Sequence, residues 1–322
     1  MRPLKLVPDD TNIPFLRWRN VAMTISIALI VASIVLSVVR GFNLGIDFVG
    51  GQMVRVTFAQ PVEIDQLRAR VDALGLGEAT IQQFGSAREV AIRTPLPEGD
   101  EDAASAAADR IRTTITQAYP GAQVGATSSV TGKVSNELFT KGAWALGLAM
   151  LAISLYIWFR FEWQFGVGAL FALFHDVALT LGFFALTQLE FDLNVVAAIL
   201  TIIGYSLNDT IVVYDRIREN MRKYRKMEMP ALLDLSINET LSRTVVTSLS
   251  IGIVLAVLLF LGPEVIFGFT AAMLLGIVIG TFSSVYVSAA ILLWLRLAPD
   301  SFVTRTVTGP AGAERVTARD LP

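Results

Sequence analysis

The stretch Ile203–Glu219, IGYSLNDTIVVYDRIRE, decides how the chain is read. An apolar run from Val195 to Ile203 leads into it, and a basic cluster from Arg216 to Lys226 closes it. In its middle Asn208, Asp209 and Thr210 fall inside what the run predicts to be a membrane-crossing helix. A carboxylate at that depth costs about 2.5–3.5 kcal/mol or more unless it is paired, hydrated or protonated, so it marks a functional site by default. Its other use is a packing hydrogen bond to a neighbouring helix. Asp215 marks the end of the apolar length, which puts Asp209 about 9 Å inside that boundary. With Gly204, Ser206 and Asn208 nearby, the segment permits close packing or water access. A carboxylate so placed can take up and release a proton as conformations change.

Composition agrees with a membrane setting. Of 322 residues, 53% are hydrophobic and 17% charged, against about 25% charged in soluble domains, and mean hydropathy is +0.58. There are no cysteines and one histidine, His175. Disulfides, thiolate sites and histidine-rich metal sites are thereby excluded.

Working outward, residues 1–20 are polar and read as a cytoplasmic N-terminus. Residues 21–40 form the first span, long enough to cross the hydrocarbon core and without a small-residue cleavage site. Residues 41–141 are polar, with 12 acidic and 9 basic residues. Strand-like alternation at 52–59, 79–84, 89–94 and 122–130 frames helical periodicity at 62–74 and 103–119. The order β-α-β-β-α-β is that of a small α+β ferredoxin-like domain. Residues 142–297 hold five further apolar runs, at about 143–159, 165–186, 195–213, 245–261 and 267–295. The last is overlong and must tilt, kink or protrude. Residues 298–322 read as a disordered cytoplasmic tail. The fold class is a polytopic α-helical membrane protein with six transmembrane helices and a ferredoxin-like domain between the first two.

Orientation follows from the short loops. The 215–226 loop is strongly basic, and Arg160 and Arg296 close two other spans. The opposite loops, 187–194 and 262–266, carry Glu190, Asp192 and Glu264 but no Lys or Arg. By the positive-inside rule both termini are cytoplasmic and the 41–141 domain lies outside.

Three other groups stand out. Arg243, in LSRTVVT, opens the fifth span on the same side as Asp209; it either snorkels to headgroups or turns inward to a carboxylate. His175 and Asp176 lie near the middle of the third span, where proton relay and helix-to-helix bonding both fit. In Gly45-Ile46-Asp47-Phe48-Val49-Gly50-Gly51 three glycines suit a tight, positive-φ turn from membrane to domain. That stretch lacks the Lys-Ser/Thr of a phosphate loop. Gly276 and Gly280 match a small-xxx-small packing motif.

LGIDFVGG after the first span, FRFEWQFGVGALFALFHD at 159–176, GYSLNDTIVVYDRIREN at 204–220 and LSRTVVTS at 241–248 together resemble the SecF family. SecF is the smaller half of the SecD–SecF accessory complex of the bacterial protein-export translocase, similar in plan to half of a resistance-nodulation-division transporter. The resemblance implies a non-enzymatic subunit of the cell inner membrane that works with SecD on a translocating preprotein in the periplasm. It implies the SecYEG translocon and YajC as further partners, no nucleic acid, no cofactor, and the proton as coupling ion. By motif, Asp209 is the family's proton-handling carboxylate, flanked by Asn208 and Thr210, and Arg243 its matching arginine. A homo-oligomeric, proton-driven exporter of small molecules or lipids is the competing expectation.

Overall fold

The computed structural model describes residues 7–8, 11–84, 86–96 and 101–297. Among them six helical segments are long and apolar enough to cross a membrane. The first is α1, Arg19–Val39, entered through a tight 3-10 turn at Phe15–Trp18. It therefore begins inside the stretch read as an N-terminal tail; the tail's residues 1–6 and 9–10, like the expected C-terminal tail, lie outside the described residues. After a short helix, α2 (Ile46–Val49), the chain builds β1 (Gly51–Thr57), α3 (Ile64–Asp72), β2 (Thr80–Phe84), β3 (Ser86–Thr94), α4 (Glu101–Ala118) and β4 (Gln123–Val130). The five remaining spans are α5 (Gly132–Arg160), α6 (Trp163–Thr187), α7 (Leu193–Lys223), α8 (Met229–Leu261) and the interrupted pair α9 (Phe267–Phe282) and α10 (Ser288–Trp294).

The sheet is antiparallel throughout, in the order β2-β3-β1-β4. A hairpin puts β3 between β1 and β2, and α4 returns the chain so that β4 pairs on the far side of β1. This is compatible with the split βαβ plan read from the alternation. Val54, Val56, Val90 and Ile92 face α3 and α4, where Leu67, Val71, Ile111 and Ile115 complete one small core. Side chains alternate across a strand and recur every three to four residues along a helix, so this core follows from the two periodicities alone.

Span boundaries differ from the apolar runs in a consistent way. α5 starts about ten residues before its apolar run, directly after β4, so the expected domain boundary at 141 falls inside a helix. Lys133, Glu137 and Lys141 stand at i, i+4 spacing, and Lys141 pairs with Glu137 at 3.4 Å, a pattern that supports a helix in water. Likewise α7 continues to Lys223 and α8 begins at Met229, so most of the expected basic loop is helical. Hydropathy sees only the length in lipid.

The overlong last span is resolved by a break. Residues Ser283–Val287 form a π-helical turn between α9 and α10, the kind of insertion that bends a helix and re-aims its side chains. α7 and α9 run parallel in close contact. A Cβ at Gly276 would meet three atoms of Ile202, and one at Gly280 would lie 3.1 Å from Ser206 Cβ. On the other side, α1 packs on α6 where Gly182 leaves room for Ser33. The glycines let backbones approach in a setting where apolar surface alone gives helices no reason to prefer each other over lipid.

Candidate functional site

α7, α8 and the π turn converge on Asp209. Its Oδ1 accepts a hydrogen bond from Thr244 Oγ1 at 2.9 Å, and its Oδ2 one from Ser284 Oγ at 3.4 Å. The carboxylate is buried and makes no ion pair among the described residues. Arg243 does not reach it. Successive residues on a helix point about 100° apart, so burying Thr244 turns Arg243 outward, and its side chain is exposed. The hydroxyl next to the expected arginine makes the contact. Thr210 is buried beside Asp209, whereas Asn208 lies on the exposed face of α7 with Gly204.

His175 and Asp176, neighbours on α6, fold toward one another. His175 Nδ1 and Asp176 Oδ1 are 2.8 Å apart. Asp176 Oδ2 also accepts from Ser206 Oγ of α7 and, at 2.9 Å, from Ser283 Oγ of the π turn. The two polar sites thus meet on one element: Ser283 binds Asp176 and its neighbour Ser284 binds Asp209. Reading for charge overlooked these serines and Thr244. The signal was present as a cluster of hydroxyl side chains, TFSSVYVS at 281–288, inside a long apolar span.

The glycine-rich motif forms a second centre, at the N-terminal end of α7. Gly50 and Gly51 have φ of +76° and +111°, as the motif predicted. Gly45 differs: its φ is −70°, and it is small because Glu190 Oε1 would lie 2.9 Å from a Cβ there. Between them α2 was not foreseen. The motif docks on the loop joining α6 to α7. The Gly45 N–H donates to Phe191 O and the Phe191 N–H to Asn43 O, at 2.9 and 2.8 Å. Asp47 Oδ2 accepts from the Leu193 N–H at 2.9 Å, at the start of α7. Phe48 packs against Phe139 and Phe191, and Phe42 and Phe184 also meet Phe191. From the domain, Arg55 pairs with Glu190 at 3.7 Å and Arg93 donates to Leu44 O. The joint therefore ties the sheet to the same helix, α7, that carries Asp209.

Burial pushes Glu190 and Asp192 above their ordinary values of 4.5 and 3.8. Arg55 and Arg93 oppose the rise at Glu190; the Val195 N–H and the Asn194 amide oppose it at Asp192. A raised carboxyl favours the assembled joint in its protonated form. Docking is then tightest below the ordinary values and loosens as pH rises through the raised ones. Amide exchange at Gly45 and Phe191, corrected for intrinsic rate, is expected to lose protection as pH rises above the ordinary carboxylate range. Glu190→Gln should flatten that profile; protection that is constant or grows with pH in the native chain excludes the effect.

An α-helical bundle of six spans, with hydroxyl-held carboxylates inside it and a small sheet domain hinged to the carboxylate-bearing helix, defines a polytopic membrane protein of the transport class. Within that class, the chain belongs to the SecD/SecF family of protein-export membrane proteins. Residues 110–298 match the family model described as "Protein export membrane protein SecD/SecF, C-terminal", and residues 35–62 match the SecD/SecF GG motif. It is 46% identical over 289 residues to the protein translocase subunit SecF of Desulfurispirillum indicum, covering 88% of this chain and 92% of that one. To SecF of Rhodobacter capsulatus it is 43% identical over 306 residues, covering 91% and 92%. The crystal structure of SecDF, a translocon-associated membrane protein from Thermus thermophilus, superposes with a TM-score of 0.82 at 36% identity, over 91% of this chain and 40% of that chain. A super-membrane-facing form of SecDF gives 0.65 at 34% identity, over 92% and 40%.

Proposed function

We propose that the chain is the SecF-type subunit of a protein-export translocase of the inner membrane, with both termini cytoplasmic. It works with a SecD-type partner to couple proton entry at Asp209 to movement of the extracytoplasmic domain on a translocating polypeptide. The observation that carries the reading is Asp209 itself: a buried carboxylate in the spanning part of α7, hydrogen-bonded by hydroxyls and in no ion pair among the described residues. Hydrogen bonds from Thr244 and Ser284, with no ion-paired cation among the described residues, hold the carboxylate in place without fixing its charge, so it can change protonation. Arg243, exposed beside it, faces outward to where a second membrane chain would pack. The chain spans 40% of the SecDF chain it resembles, which leaves room for such a partner to complete the path. Further partners expected on the same ground are SecYEG, YajC and the preprotein.

Transmission runs along α7. Protonating Asp209 removes a charge and lets its contacts to α8 and the π turn rearrange. At the other end of the same helix the Asp47–Leu193 bond and the Phe191 cluster pass any shift to the sheet domain. No covalent chemistry is involved. The test is proton uptake into sealed vesicles carrying the chain with and without its SecD-type partner. Uptake that requires both chains supports the reading; uptake by this chain alone, unaffected by the partner, would point instead to a homo-oligomeric exporter.

A further inference from the structure

We propose that His175 and Asp176 form a second proton-binding site, linked to Asp209 through the π turn. The proposal rests on reading Asp209 as the proton carrier and adds a second carrier to it. Both residues are fully buried, His175 at 1% and Asp176 at 0% exposure, about 20 Å along α6 from its Trp163 end. Three donors converge on the Asp176 carboxylate when the ring proton sits on Nδ1: His175, Ser206 and Ser283. That tautomer suits an ionised Asp176 and leaves the Nε2 lone pair open. Nε2 has no hydrogen-bond partner among the described residues, although it is buried. An orphaned basic nitrogen in a helix bundle is costly as packing and apt as a proton acceptor.

A second orphan lies at the same level. α1 and α6 run parallel, with Arg40 reaching Leu186 O at one end and Ser33 against Gly182 farther in. Ser26 precedes Ser33 by two turns, as His175 precedes Gly182, so Ser26 stands level with the ring. Its Oγ is also buried and unpartnered among the described residues. Without the added proton the His175–Asp176 pair carries one negative charge. With it, an imidazolium faces a carboxylate and the pair is neutral.

The link to Asp209 is geometric. Ser283 and Ser284 are consecutive on a π turn, one on each carboxylate, so a change in the turn that releases one disturbs the other. Ser206 adds a path along α7, one turn from Asp209. The titratable groups facing α6 are few. Tyr214 of α7 packs over Gly168, and at the Trp163 end Arg218 of α7 pairs with Glu162 and Asp215 with Arg160 of α5. The π turn brings Tyr286, while Asp209 and Tyr205 of α7 turn toward α8. The spanning parts of α1, α9 and α10 bring none.

The chain's single histidine makes the test clean. The chain carrying 15N-labelled histidine is reconstituted in lipid with its unlabelled partner, and the ring nitrogens are followed by solid-state NMR from about pH 5 to about pH 9. Conversion between one neutral tautomer and the imidazolium is expected. In Asp209→Asn the midpoint is expected to move by about half a pH unit or more, and in Ser283→Ala/Ser284→Ala that linkage is expected to shrink. A ring that stays in one neutral tautomer across the range overturns the second site. A titration that Asp209→Asn does not move overturns the link, while proton uptake by the native complex still reports on Asp209 independently.

Discussion

Asp209→Asn is expected to abolish stimulation of preprotein translocation by the proton-motive force while leaving translocation without an imposed potential unchanged. Asparagine keeps the size of the side chain and an oxygen for the Thr244 hydroxyl, so the bundle has little reason to rearrange. What disappears is the exchange between a charged and a neutral state. One charge crossing the field is worth about 2.3 kcal/mol per 100 mV. A proton-motive force on the order of 150 mV then supplies roughly 3 kcal/mol per proton, enough to bias a two-state element on the order of a hundredfold. Losing the ionisable group removes all of that bias. Thr244→Ala removes only one hydrogen bond, about 1 kcal/mol, and is expected to shift the response without ending it. The measurement is translocation into vesicles of a proteolysis-protected preprotein, with and without an imposed potential. If Asp209→Asn keeps the full potential-dependent increment, proton coupling does not pass through this residue.

The sequence made this residue visible because a charge in an apolar run is a strong local signal. The six spans and the two-layer sheet domain were legible for a related reason: periodicity is local, and burial acts on each residue through its own neighbours. The contacts that complete the site were not legible, because they depend on helix rotation. Whether Arg243 or Thr244 faces Asp209 is a matter of 100° about α8, and only the packed bundle sets that angle. The joining of Asp176 to Asp209 depends on a π turn, which leaves no trace in hydropathy beyond an overlong span. Gly45 shows the same limit. It was read as a turn glycine like Gly50 and Gly51, but a side chain 145 residues away, Glu190, is what requires it to be small.

The second large effect is expected from Gly276→Ala. A methyl group there would lie 2.4, 2.5 and 2.9 Å from Cγ1, Cδ1 and Cγ2 of Ile202, which is itself buried. Ile202 is β-branched and in a helix keeps essentially one χ1 rotamer, so it has no easy retreat. α9 must then move away from α7, at a cost of about 1–3 kcal/mol for overpacking. The damage does not stay at the contact. Ser283 and Ser284 follow α9 directly, and a displaced α9 draws their hydroxyls away from Asp176 and Asp209. Gly276→Ala is therefore expected to lower the thermal midpoint of the reconstituted complex and its potential-driven translocation together. Ile202→Ala opens the space the new methyl needs and costs about 2–5 kcal/mol alone, so the double variant is expected to be more stable than the two single losses predict when added. Strict additivity would mean that the two residues do not press on each other, and the close approach of α7 and α9 would no longer explain how the serines are held on the carboxylates.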